Sequence, residues 1–503
     1  MSPLSVIATI GAYLALLFAV AWVSGRRADN ATFFTGGRRS PWWAVALGMV
    51  AAPMSGVTFV SVPGMVGAGS WAYLQMAMGF VLGYLVIAFV LVPLFFRLRI
   101  VSIYEYLAGR FGESSHRTGA WFFFVSKLLG ASLKIYLVCL VLQMLVFEPL
   151  GVSFAVNAAV MMALVWLYTF RGGVRALVWT DSLKTVCLVG SVGLGIWFIA
   201  RELGLDFGEM ARAVSDSELS RVWFFDDPND RRYFFKQFFS GLFIVIAMTG
   251  LDHDMMQLPL SCRSPRDSQK NFVASGMVQF VVIAMFLSLG VLLNLFATAR
   301  GIAMPASGDE LFPMVATAAG LPAAMGVIFV LGLIASTYSA AGSALTALTT
   351  SFTVDILGRG GIGADGGGNG TQQEHGPSTE ARLTRTRRTV HASMAVAMVA
   401  VIVAFRALAG TSVIDAVYVL ASYTYGPILG MFAFGMATRR SERLQRGVRD
   451  RWVPLVAVLS PALCLVLDLN SEAWLGGYRF GYELLIMNAA FTIVGLAIIS
   501  KPR

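Results

Sequence analysis

Long apolar runs alternate with charged or Gly/Pro-rich breaks along the whole chain. A run of about 20 apolar residues is long enough to cross the hydrocarbon core of a bilayer as a helix. The runs predict thirteen such helices, at residues 4–23, 42–66, 72–94, 119–146, 152–170, 177–200, 234–252, 272–299, 323–356, 387–409, 413–436, 452–468 and 480–499. The first has no basic stretch before it and is long enough to span. It therefore reads as a retained helix and not as a cleaved signal peptide. The expected fold class is an all-α integral membrane protein, one transmembrane domain over 1–503.

Composition agrees. Of 503 residues, 57% are apolar and 13% charged, whereas soluble domains run near a quarter charged. This excludes a disordered chain, a disulfide-built secreted scaffold and an ordinary soluble enzyme. The four cysteines, Cys139, Cys187, Cys262 and Cys464, form no C-x-x-C pair, so neither a metal framework nor a disulfide set is expected. The glycine-rich stretch within 357–386 reads as a flexible cytoplasmic linker. It lacks a preceding strand and a G-K-[ST] signature, so it is not a phosphate cradle.

The net charge of +10 would suggest nucleic acid, but its placement does not. Of the 38 Lys and Arg, 26 fall in one alternate set of loops and eight in the other. The positive-inside rule puts the larger set in the cytoplasm. The N-terminus is then outside and the C-terminus inside, as an odd number of spans requires. The charge is topology, with an added attraction to anionic lipid in the cell membrane, and no nucleic-acid partner is expected.

Polar groups inside spans are costly and mark function by default. In Ala51-Ala52-Pro53-Met54-Ser55-Gly56, Pro53 removes a backbone donor and Gly56 loosens the chain. The second span should break there, at mid-membrane depth, where freed carbonyls are hard oxygen ligands for a small cation. A plain proline kink used for packing is the bland alternative. In the ninth span Ser336, Ser339, Ser343, Thr346, Thr350 and Thr353 form one polar stripe, with Thr337 beside Ser336. Such hydroxyls can simply bond their own helix. Two neutral hydroxyls plus freed carbonyls would instead make a low-charge oxygen cage, which suits Na⁺ better than Mg²⁺ or Zn²⁺.

Charged residues also lie within spans. Asp181 and Lys184 share a helix face, and a local pair between them is the structural expectation. Lys127 can snorkel to an interface. Lys134 is too central for that and reads as a pathway or substrate residue. Asp252, His253 and Asp254 close the seventh span at the cytoplasmic face, where a cap or gate role is expected in preference to a metal site.

These residues resemble the sodium:solute symporters, relatives of the bacterial proline, galactose and sialic acid transporters and the animal sodium/glucose cotransporters. The matching stretches are Phe33-Phe34-Thr35-Gly36-Gly37-Arg38, Met54-Ser55-Gly56, Trp179-Thr180-Asp181, Ser336-Thr337 and Tyr423 to Gly435, in order over roughly residues 5–500. The resemblance implies an inverted five-plus-five helix repeat, an amino-acid-transporter-like core, over 42–200 and 234–436. One N-terminal helix (4–23) and two C-terminal helices (452–499) lie outside it. It implies a main sodium site from the carbonyls of Ala51, Met54 and Leu333 and the hydroxyls of Ser336 and Thr337. Asp181 and Ser339 match a second sodium site found in some members, although Ala340 stands where those members have another hydroxyl. Ser55, Gly56 and Lys134 are implied for the solute. Pro53 replaces an aspartate of the proline transporters. Lys134 falls near an arginine that holds the carboxylate in the sialic acid transporters.

The expected function is Na⁺-coupled import of a small organic solute by alternating access, with no cofactor beyond the ion and no enzymatic chemistry. An acidic, sugar-like or other carboxylate solute is favoured. A neutral sugar or amino acid, and proton coupling through Asp181, stay open. A passive channel would need a second polar stripe. A membrane sensor would need a regulatory domain, and the sequence ends at Arg503, just past the last span. Oligomeric state is not readable.

Overall fold

The computed structural model describes residues 3–25, 42–98, 103–169, 174–317, 322–357, 377–407, 412–439 and 446–502. The Phe33–Arg38 stretch and most of the glycine-rich linker lie outside these residues.

Helices fill the apolar runs because the i→i−4 ladder satisfies each backbone group internally, which hydrocarbon demands. In chain order they are α1 (Pro3–Gly25), α2 (Trp42–Ala51), α3 (Gly56–Gly64), α4 (Ala72–Leu98), α5 (Glu113–Phe147), α6 (Phe154–Thr169), α7 (Val174–Glu202), α8 (Phe234–Gly250) and α9 (His253–Leu260). They continue with α10 (Pro265–Ala299), α11 (Ala323–Ser351), α12 (Pro377–Arg406), α13 (Val413–Arg439), α14 (Val453–Leu469) and α15 (Leu484–Ile498). A helix or helix pair thus occupies each of the thirteen predicted runs. By length and composition, eight are fit to cross a membrane among the described residues, or nine if α8 and α9, bent by 74°, count as one span. Apolar stretches Leu4–Val20, Phe154–Leu167 and Leu484–Ile498 are shorter. A departure from helix is one small antiparallel pairing, Arg446–Val448 with Ser500–Pro502.

The second run breaks where Pro53 and Gly56 predict. Helix α2 stops at Ala51 and α3 begins at Gly56. Ser55, in extended backbone, caps α3, its Oγ accepting the Val57 N–H at 3.3 Å. Helix α3 is enclosed by α5, α10, α11 and α13, and α2 by α7 and α10. The Phe59 ring on α3 meets Phe286 of α10 at 5.9 Å and Phe329 of α11 at 5.8 Å. Such ring pairs add to simple burial.

Helices α4 and α8 approach closely enough to require glycine. A Cβ on Gly79 would lie 2.1 Å from the Phe238 carbonyl oxygen, and one on Gly241 2.1 Å from that of Met76. Small residues permit this backbone contact, and dispersion at short range holds it. Gly79→Ala should therefore lower the thermal midpoint in detergent, by an overpacking cost of about 1–3 kcal/mol. Gly190→Ala, which meets nothing within 4 Å, should leave it unchanged. Equal midpoints for the two variants would contradict the close approach.

Candidate functional site

The break places unpaired carbonyls beside α11. Among the described residues no backbone N–H reaches the carbonyls of Ala52, Pro53 or Met54. On α11, Ser336 Oγ and Thr337 Oγ1 each donate to the Leu333 carbonyl at 2.8 Å. Both side chains are buried. Back-bonding of this kind is common for hydroxyls in helices. Here it also gathers three oxygens, two of which keep lone pairs free. Gly56 sets the distance to the break, since a Cβ there would sit 2.5 Å from Thr337 Oγ1 and 3.2 Å from Leu333 Cδ1. The structure therefore brings Leu333, Ser336, Thr337 and the start of α3 together. The side chain of Ser339 lies outside the described residues, as do those of Trp179 and Thr180.

A cavity opens next to this cluster. Ala52, Ser55 and Thr337 form one wall, and Lys127, Lys134, Asp252 and Asp254 contribute to the rest. Gly56 does not line it; its role is the approach to α11 just described. Lys134 makes no hydrogen bond or ion pair among the described residues.

One sequence expectation needs correction. Lys127 does not snorkel: it is buried, with Nζ 2.8 Å from Asp254 Oδ2 and 3.3 Å from both Asp252 oxygens. Asp252 and Asp254 follow the end of α8 at Gly250 and also wall the cavity. The seventh run bends at Leu251–Asp252 and continues as α9, which folds these carboxylates inward. Asp252 does cap α9, accepting the Met255 N–H at 3.1 Å, and it also accepts Tyr425 Oη at 2.7 Å. The network joins α5, the bend and α13 across more than 100 residues, a separation no local spacing reveals. The available signals were the doublet of carboxylates beside a break and Tyr425 within the matched Tyr423–Gly435 stretch.

Asp181 and Lys184 are both buried, but the expected close pair is not formed: Lys184 Nζ has no hydrogen-bond partner among the described residues. The lower part of the polar stripe keeps its bland reading. Thr346, Thr349 and Thr353 bond their own helix, and Thr349 Oγ1 also meets His391 Nδ1 at 2.9 Å. No group of three His, Cys, Asp or Glu side chains fit to hold a metal occurs among the described residues.

The described residues thus form a set of long apolar helices, one of them broken beside a pair of hydroxyls. A sequence model of the sodium:solute symporter family matches residues 33–359, and the chain belongs to that family. It is 22% identical over 460 residues to a sodium/sialic acid symporter of Proteus mirabilis (strain HI4320), covering 86% of this chain and 85% of that one. It is 26% identical over 284 residues to the sodium/iodide cotransporter of Homo sapiens, covering 55% of this chain and 43% of that one. The chain thus spans less than half the length of the human relative and most of the bacterial one. Among solved structures, a Na⁺-coupled sialic acid symporter in a substrate-bound outward-open state superposes with a TM-score of 0.76 at 19% identity, over 98% of this chain and 97% of that one. That likeness shows a shared fold.

Removing one member of a buried ion network leaves the others uncompensated, at roughly 3–5 kcal/mol. Lys127→Met should destabilise by about that amount in chemical unfolding. Adding Asp252→Asn and Asp254→Asn should restore much of the loss. Unchanged stability in the single variant would show that the network is not closed.

Proposed function

We propose that this protein is a secondary active symporter that couples Na⁺ entry to import of a small carboxylate-bearing solute, and that it is not an enzyme. The observation that carries the solute class is Lys134, an ammonium with no hydrogen-bond or ion-pair partner among the described residues, in a cavity whose other cation, Lys127, is held by Asp252 and Asp254. A lysine holds a carboxylate as a point charge, without the bidentate geometry of arginine. The family assignment supports the coupling ion, and the sialic acid symporter among the relatives agrees with an acidic solute.

In this reading Na⁺ sits between the α2–α3 break and α11, held by the carbonyls of Ala51, Met54 and Leu333 and the hydroxyls of Ser336 and Thr337. Five neutral oxygens suit a monovalent ion. Ser55 and Thr337 reach the cavity while their neighbours face the ion, so ion and solute share one wall. Coupling is then reciprocal, each ligand tightening the other.

The finer architecture belongs to the same proposal. Thirteen spans with the N-terminus outside and the C-terminus in the cytoplasm follow from the loop charges. An inverted repeat over 42–200 and 234–436 is supported by a specific feature: each half opens with a broken helix, α2–α3 in the first and α8–α9 in the second. Midplane sites at paired broken helices are the usual arrangement of such repeats.

The driving force follows from charge. One Na⁺ moving with a neutral solute gains about 2.3 kcal/mol per 100 mV and about 1.4 kcal/mol from a tenfold gradient. Moving with a monocarboxylate it carries no net charge, and only the concentration term remains.

A second reading rests on the same cavity. Asp252 and Asp254 share the single Lys127, which leaves one negative charge in excess opposite Lys134. An α-amino acid would meet this with its ammonium toward Asp254 and its carboxylate toward Lys134.

Thermal unfolding in NaCl against KCl, across sialic acids, short monocarboxylates, neutral sugars and amino acids, separates these readings. A ligand at 100 times its Kd adds about 2.7 kcal/mol. A carboxylate should shift the midpoint only in Na⁺, and Lys134→Ala should remove the solute shift while keeping the Na⁺ shift. Ser336→Ala should raise the half-saturating Na⁺ by about tenfold, or 1.4 kcal/mol. A midpoint that responds to pH and not to Na⁺ would move the coupling to Asp181.

A further inference from the structure

Between its charged groups the wall of the cavity is apolar. Ala340, Ala341 and Ala344 of α11 contribute to it, with Val417 and Leu420 of α13 and Met248 of α8. The hydroxyls in the wall are engaged within the protein. Thr337 Oγ1 donates to the Leu333 carbonyl at 2.8 Å and Tyr425 Oη to Asp252 at 2.7 Å. Ser126 Oγ bonds Thr424 Oγ1 at 2.8 Å, and Ser55 Oγ accepts the Val57 N–H at 3.3 Å. A polyhydroxylated solute would bring more donors and acceptors than this wall can meet. Each one left unpaired would keep its full desolvation cost. An aliphatic body has no such cost and is favoured by leaving water.

Helix α5 leaves the room for that body. Ser126, Gly130 and Lys134 follow at steps of four residues, and all three line the cavity. Residues so spaced share one face of a helix. Gly130 therefore stands in the middle of the cavity-facing stripe, one turn before the Lys134 ammonium. A Cβ at Gly130 would meet no atom within 4 Å, whereas one at Gly56 would lie 2.5 Å from Thr337 Oγ1. Gly56 is required by the approach of two helices; Gly130 is not required by packing. It also lies inside the continuous helix Glu113–Leu142, where glycine is unfavourable relative to alanine. What its missing side chain leaves is open volume beside Lys134.

We propose that Gly130 sets the size of the solute, and that the solute is a monocarboxylate with a short aliphatic body, its carboxylate at Lys134 and its carbon chain in the space beside Gly130. The inference rests on the carboxylate reading and deepens it. Sugar acids are excluded by their hydroxyls, not by their charge. Carbon atoms added at position 130 take the place of carbon atoms in the solute.

Thermal unfolding of the purified full chain in NaCl, titrated with acetate, butanoate, isovalerate, valine and gluconate, tests this. The affinity of the wild type should rise from acetate to isovalerate, and gluconate should not bind. Gly130→Leu should weaken isovalerate about tenfold more than acetate, the scale on which an apolar pocket discriminates by a methylene. Gly130→Ala should change the same ratio in the same direction and by less. Lys134→Ala should lose all the acids. Gluconate binding as tightly as butanoate would overturn the inference and leave the carboxylate reading intact, as would a Gly130→Leu chain that weakens acetate and isovalerate equally. Valine binding where isovalerate does not would overturn it in favour of an α-amino acid. A wild type that responds to Na⁺ and to none of the acids would remove the carboxylate reading, and this inference with it. If Gly130→Leu does not fold, Gly130→Ala decides by the same ratio.

Discussion

A helix that stops partway along an apolar run imposes the constraint on which the rest of this structure depends. Between Ala51 and Gly56 the i→i−4 ladder is interrupted, and the carbonyls of Ala52, Pro53 and Met54 accept no backbone hydrogen bond among the described residues. Lipid cannot hydrate them, so irregular backbone survives only inside protein or beside an aqueous cavity. The architecture answers both ways. Helices α5, α10, α11 and α13 enclose α3, the Ser55 hydroxyl caps it, and the cavity lies along its N-terminal edge. Gly56 is where these demands meet, because any side chain there would strike Thr337.

The same economy governs charge. Around the cavity and α7 the described residues place three lysines, Lys127, Lys134 and Lys184, and three aspartates, Asp181, Asp252 and Asp254. All but Lys134 and Asp254 are classed as buried. Their formal charges cancel. Isolated charges in such surroundings cost several kcal/mol each, so balance is a condition of folding before it is a feature of transport. Balance is nevertheless uneven in space. Lys127 serves two carboxylates at once, and Lys134 serves none. The charges around the cavity can cancel as a set while one cation, Lys134, makes no ion pair among the described residues.

Much of this was legible in the sequence, because its signals are local. Apolar runs mark spans through hydropathy alone. Pro53 and Gly56 mark the break because each acts on its own backbone. Ser336 and Thr337 are adjacent, and both do meet the Leu333 carbonyl. What sequence does not show is contact between side chains. Lys127 was judged by its depth in one helix, whereas Asp252 and Asp254 reach it from a bend that hydropathy cannot show. Helical spacing puts Asp181 and Lys184 on one face, yet Lys184 Nζ makes no hydrogen bond among the described residues. Gly56 stands out by its place in a motif, and only three-dimensional packing shows its close approach to Thr337 of α11.

The short α3 segment also explains how an ion and a solute could be coupled without touching. Helix α3 has nine residues. Its cap residue Ser55 lines the cavity, while the preceding Met54 carbonyl accepts no backbone hydrogen bond among the described residues. Thr337 does the same on α11, lining the cavity while its hydroxyl engages the Leu333 carbonyl. A tilt of α3 against α11 alters both sets of distances together, since Met54 and Ser55 are adjacent at the start of α3. A ligand shifts a conformational equilibrium only by its difference in affinity between the two states. Under the proposed function Na⁺ has such a difference, because its oxygens come from two helices that can separate. The solute has one too, because its wall is formed by the same pair.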